Sequence, residues 1–133
     1  MNSIAMRRAF NAMARFMESY DLILTPTAPL LPFPINRDGP GSIDGIAVAD
    51  DAWSPALYPA NLTGQPAASV PAGWTSDGMP VGLQMMTRRL EDRLLVSAAA
   101  AFERALPWRD RRPPVSVWQR EPSRGAAAAL AAG

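Results

Sequence analysis

Ser54, Ser69, Ser76 and Ser97 supply hydroxyls, and Asp50-Asp51 and Glu91-Asp92 supply adjacent carboxylates, as the groups through which this chain of 133 residues could do chemistry. A serine attacks a carbonyl only when a neighbouring base takes its proton. The sequence has no Cys and no His, and because all 13 of its basic residues are Arg it has no Lys. No imidazole or amine is present to act as that base. Thiol nucleophiles, Schiff bases, phosphate-loop lysines and His- or Cys-held metals are excluded by the same zeros. A glycosidase-like carboxylate pair must face one gap of roughly 5–9 Å. Neighbours in sequence on a helix diverge instead, so both acidic pairs read as helix-start residues. The expectation is a chain with no catalytic constellation of its own.

Composition narrows the partners. With 13 basic and 12 acidic residues the net charge is +1, and no strong field draws nucleic acid or a membrane surface. The apolar stretches are too short and too broken to span a bilayer, and the N-terminus lacks the apolar run of a signal peptide. A cytoplasmic location is expected. Length and a hydrophobic content of 48% suit one modest domain.

The elements that would position these groups follow from spacing. Met6, Phe10, Met13, Met17 and Tyr20 fall on one stripe of a leading helix over 2–20, a stripe suited to core packing or to an adaptable binding face. Asp21 to Thr25 is an apolar run ended by Pro26, a strand suited to burial on both faces. Pro26, Pro29, Pro32 and Pro34 hold an extended connector, and 36–45 reads as a loop. Asp50-Asp51 would cap an irregular helix through Trp53 to Asn61, closed by Gly64. Ala67 to Val70 and the alternating Val81, Leu83 and Met85 make a β-hairpin about the Asp77-Gly78 turn. A closing helix begins at Glu91-Asp92, carries Leu94, Leu95, Ala98, Ala101, Phe102, Ala105 and Leu106 on its apolar face, and stops at Pro107. The polar remainder, with Arg109, Arg111, Arg112, Arg120 and Arg124, reads as a solvated tail that ends in an Ala-rich run.

YDLILTPTAP (Tyr20 to Pro29), PANLTGQPAASVPAG (Pro59 to Gly73), DGMPVGLQMM (Asp77 to Met86) and PWRDRRPP (Pro107 to Pro114), in this order, resemble the C-terminal part of amidase signature enzymes, a family of amide C–N hydrolases. The resemblance covers about 6–114. It implies an α/β fold, the C-terminal part of a mixed β-sheet flanked by helices, and an incomplete amidase domain over 1–114 with a disordered or Ala-rich tail over 115–133. The family works through a Ser nucleophile, a second Ser in a cis peptide and a Lys base, without metal or organic cofactor. None of those blocks occurs here, so the chain is expected to be inactive alone.

By position, the resemblance places Trp53, Ser54, Leu57 and Tyr58 at the substrate pocket. The amidotransferase branch of the family often has an acidic residue where Ser54 stands, so an uncharged aryl or aliphatic amide is implied; packing of Trp53 and Tyr58 against the sheet is the alternative. Asn61 and Gln84 read as buried structural amides. The expected partners are a small-molecule amide substrate in the complete enzyme and an N-terminal amidase chain or a second copy. A non-catalytic interaction module, or one half of a split amidase, is the alternative function. Exposed sheet edges would leave the lone chain partly molten or self-associated.

Overall fold

The computed structural model of the chain describes residues 3–112. The expected tail over 115–133 lies outside them. The element order is α1 (Ser3–Phe16), β1 (Leu22–Pro26), β2 (Ser42–Ile43), β3 (Ile46–Ala47), a 3-10 turn (Pro55–Leu57), α2 (Tyr58–Thr63), β4 (Ala67–Trp74), β5 (Pro80–Thr87) and α3 (Asp92–Ala105). β1, β5 and β4 form one sheet in that order, and both of its pairings are antiparallel. The expected leading helix, strand, hairpin and closing helix are all present.

The hairpin forms as its alternation requires. Gly78 takes φ 84° in the turn, and Thr75 N–H donates to the Met79 carbonyl at 2.9 Å. β4 runs further than the expected Ala67–Val70, through Pro71 to Trp74. Proline is tolerated because β4 is an edge strand, and the register shifts between Pro71 and Gly73. Alternation along β5 sends Met85 and Leu83 to one face and Gln84 and Gly82 to the other.

α3 covers the first face. Leu95, Met85 and Val70 are buried together, with Leu22, Ala68, Leu83, Ala98, Ala99, Phe102 and Trp108 packed around them. Leu95, Ala98, Ala99 and Phe102 keep helical spacing, so one stripe meets the sheet. The expected apolar face was wider: Ala101, Ala105 and Leu106 are exposed, because three strands make too narrow a platform to reach them.

β1 departs from expectation. It is not buried on both faces: it pairs with β5 at the sheet edge, and Leu24 is 54% exposed. Leu24 shares a face with Leu22, which does touch the core, yet no further strand or helix among the described residues covers it. The leading helix ends at Phe16 rather than Tyr20, tightening through Glu18 N–H to the Arg15 carbonyl at 3.2 Å. Of its stripe only Met17 is buried; Phe10 and Met13 are half-buried, and Met6 and Tyr20 are exposed. α1 packs mainly on the short α2, which is too small to cover the rest.

Two local readings also change. Ile43-Asp44-Gly45-Ile46 makes a small hairpin inside the stretch read as loop, with Asp44 at φ 50° and Gly45 at φ 78°; this is the positive-φ pair that a two-residue hairpin turn demands. The irregular helix divides into the 3-10 turn and α2, and neither start carries a side-chain cap from Asp50 or Asp51. Gly64 does close α2, in the left-handed conformation at φ 71°. No helix among the described residues is long and apolar enough to cross a membrane.

Candidate functional site

The second face of the sheet carries the polar groups. Thr25 on β1, Gln84 on β5 and Ser69 on β4 lie in one row by register. Gln84, 3% exposed, donates through Nε2 to the Ala56 carbonyl at 2.8 Å and to Thr25 Oγ1 at 3.2 Å. The buried amide thus satisfies a backbone carbonyl of the 3-10 turn, as its sequence position suggested. Asn61, expected to act likewise, is exposed, because Ala60 and Thr63 are the inward residues of α2.

That bond holds the segment 53–58 against the sheet, and the segment sends its side chains different ways. Ser54 is buried. Its hydroxyl lies 2.8 Å from the Asp51 carbonyl and 3.1 Å from the Tyr58 hydroxyl, and Tyr58 donates to an Asp51 carboxylate oxygen at 3.2 Å. Each hydroxyl has one proton, so the two of them make two of these three contacts as full hydrogen bonds at a time. Leu57 is half-buried, Tyr58 is 44% exposed and Trp53 is 37% exposed. Ser54 and Tyr58 are therefore brought together with Asp51, while Trp53 points to a separate opening.

Trp53 forms one wall of a cavity of about 470 Å³ whose floor is Gly82. Leu30, Leu31 and Phe33 from the proline-rich connector form another wall, and Val81 and Pro71 complete the rim. Among the described residues, no charged side chain lines it. Across the floor, Thr27 Oγ1 and Ser69 Oγ meet at 2.6 Å, passing over the strand at the point where it has no side chain. A Cβ on residue 82 would lie 2.7 Å from Thr27 Oγ1 and 2.9 Å from Ser69 Oγ, so any other residue there forces these hydroxyls to shift.

Of the four residues placed at a pocket by sequence, only Trp53 reaches this one. Thr27, Ser69 and Gly82 were not singled out there as a site. The available signal was a glycine in the interior of an alternating strand, which marks a close approach of another group. Asp51 was read only as a cap, although its carboxylate is tied to Tyr58.

Comparison with known proteins agrees with this architecture. The family model described as Amidase matches residues 2–96. The chain is 38% identical over 104 residues to an acylamidase of Rhodococcus erythropolis, covering 77% of this chain and 22% of that one. It is 40% identical over 108 residues to a glutamyl-tRNA(Gln) amidotransferase subunit of Synechococcus sp. (strain WH7803), covering 80% and 20%. A solved bacterial aryl acylamidase of the amidase signature enzymes superimposes with a TM-score of 0.72 at 34% identity, covering 84% of this chain and 24% of that one. The chain spans between a fifth and a quarter of the length of these relatives. In sequence, and in the way its sheet and helices are laid out, the chain belongs to the amidase signature family.

Proposed function

We propose that this chain is the C-terminal part of an amidase domain, over 1–114, that hydrolyses the C–N bond of a carboxamide through a Ser acyl-enzyme. The Ser nucleophile, the cis-Ser and the Lys base are supplied by polypeptide other than these 133 residues. In this reading the segment carrying Trp53, Ser54, Leu57 and Tyr58 lies at the substrate site, with Trp53 alone of the four lining the cavity; the domain uses no metal or organic cofactor and works in the cytoplasm.

The observation that carries this reading is the placement of Trp53 over an uncharged cavity by a segment anchored through Gln84 to the sheet. Such a wall suits a neutral aryl or aliphatic amide, since apolar surface binds apolar groups and offers no counter-charge to an ammonium or carboxylate. The test is reconstitution. The chain is mixed with a separately produced N-terminal amidase chain carrying the Ser, cis-Ser and Lys, and hydrolysis of neutral amides is assayed. Recovered hydrolysis, absent from either chain alone, supports the reading; none at any ratio of chains refutes it.

A non-catalytic interaction module is the second reading. The exposed Met6 and Phe16 on α1, Tyr20 beyond its end, and the edge of β1 that no strand among the described residues pairs with favour it. It predicts a stable complex with an N-terminal or intact amidase chain and no gain in hydrolysis.

A further inference from the structure

Asp38, Asp44 and Asp77 are each followed by a glycine. A glycine has no Cβ to hinder its nitrogen, which makes that nitrogen the one best able to reach the preceding aspartyl side chain. The fold treats the three pairs differently. Gly39 is buried against the backbone of Asp50, where a Cβ would lie 2.3 Å from the Asp50 carbonyl oxygen. Turning that peptide means displacing the neighbouring chain. Gly78 donates its N–H to the Thr75 carbonyl at 3.0 Å, the Asp77 carboxylate accepts from the Thr75 hydroxyl, and their turn joins β4 to β5. Asp44-Gly45 has neither kind of restraint. Both residues are exposed, and nothing lies within 4 Å of where a Gly45 Cβ would stand. Among the described residues, no group bonds the Gly45 N–H or the Asp44 carboxylate. Their hairpin is a separate sheet of two strands, two residues each. A lone hairpin is marginally stable, so this turn opens without the rest of the fold.

We infer that Asp44 is the site at which this chain acquires an isoaspartyl linkage, through a cyclic imide. In the open turn the Gly45 nitrogen forms a bond to Asp44 Cγ. A carboxylate oxygen leaves as water, taking the amide proton and one proton from solvent. One water then reopens the imide. Breaking the bond from nitrogen to Cγ restores the aspartate. Breaking the bond from nitrogen to the main-chain carbonyl carbon routes the chain through Cβ and Cγ, and that carbonyl becomes the free carboxylate. Nothing is oxidised or reduced, and water is the one co-reactant. The new link adds one carbon to the backbone, so the two-residue turn no longer sets Ile43 opposite Ile46. Ile43 and Asp44 line a groove with Leu30 and Phe33 of the proline-rich connector. The modification therefore reshapes that wall of the groove and leaves the three-stranded sheet as it is. It does not depend on amide hydrolysis by the chain.

The test is prolonged incubation of the purified full chain in warm neutral buffer, then digestion with a protease that cuts before aspartate but not before isoaspartate. Loss of the cut at Asp44 should run at least about tenfold faster than at Asp38 or Asp77, the gap between a turn that opens alone and backbone that moves only with the larger fold. Asp44→Asn and Asp77→Asn read the same step as a mass change, because a side-chain amide closes the same imide with loss of ammonia. Asn accepts a positive φ, so the first variant keeps its turn. Asp44→Asn should deamidate the faster of the two by a similar factor. In denaturing urea the sites should react at comparable rates, since no fold then distinguishes them. Equal rates in the folded chain, or a lead for Asp38 or Asp77, overturn the inference. So does the same order persisting in urea, which would put the cause in local sequence, and so does a cut at Asp44 that survives in the folded chain while urea abolishes it.

Discussion

Gln84 of the middle strand and Ala56 of the 3-10 turn are joined by a side-chain to backbone hydrogen bond of 2.8 Å. This is the tie that fixes the Trp53-bearing segment on the sheet, and the Gln84 side chain, 3% exposed, has no ready substitute in water, whereas Ala56 is half-buried. Gln84→Leu keeps the volume and removes the donor, leaving the Ala56 carbonyl and Thr25 Oγ1 without it. The expected cost is about 0.5–1.5 kcal/mol, the net worth of a hydrogen bond, because the two acceptors left behind are on half-buried residues that water can reach. Urea denaturation checks this; an unchanged midpoint would mean that the tie adds nothing.

The core on the α3 face is small, and its energetics should be sharply local. Met85 is 2% exposed between Leu95 and Val70, so Met85→Ala should destabilise the chain by about 2–5 kcal/mol. Val96 on the same helix is 66% exposed, and Val96→Ala should change stability by no more than about 0.5 kcal/mol. Parallel thermal melts of the two variants decide it. Equal losses would mean that Val96 is covered in solution.

The uncovered apolar surface predicts association. Leu24 on edge strand β1 is 54% exposed, and Phe16 and Tyr20 stack at 4.6 Å with about half of each exposed. Sedimentation velocity at rising concentration should show oligomers. Leu24→Lys, which places a charge on that open edge, should shift the population toward monomer. A monomer at all concentrations in both proteins would contradict this account of the edge.

The sequence made legible what local patterns control. The alternation of Val81, Leu83 and Met85, the positive φ of Gly64 and Gly78, and the stripe of α3 through Leu95 and Phe102 all rest on neighbours within a few residues. What escaped depends on pairing across distance. Nothing near Leu22 says that its strand joins the edge of β5, or that no other strand among the described residues pairs on its far side. Pro71 reads locally as the end of a strand, and only an edge position with a shifted register lets β4 continue. The Asp44-Gly45 turn was visible in type but was masked by the prolines around it. Trp53, which the family resemblance placed at a pocket, does line a cavity. Thr27 and Ser69 were not legible there, because 42 residues separate two hydroxyls that meet only over a missing side chain.

The central claim is that this chain lines an amide site and borrows the reacting serine, and serine labelling tests it most directly. The chain and an N-terminal amidase chain are mixed, treated with a fluorophosphonate, separated and weighed by mass spectrometry. The account predicts an adduct on the N-terminal chain, its formation slowed by a neutral amide, and none on any serine of this chain, which has no Lys or His to activate one. A stoichiometric adduct on Ser54, Ser69 or any other serine of this chain would contradict it.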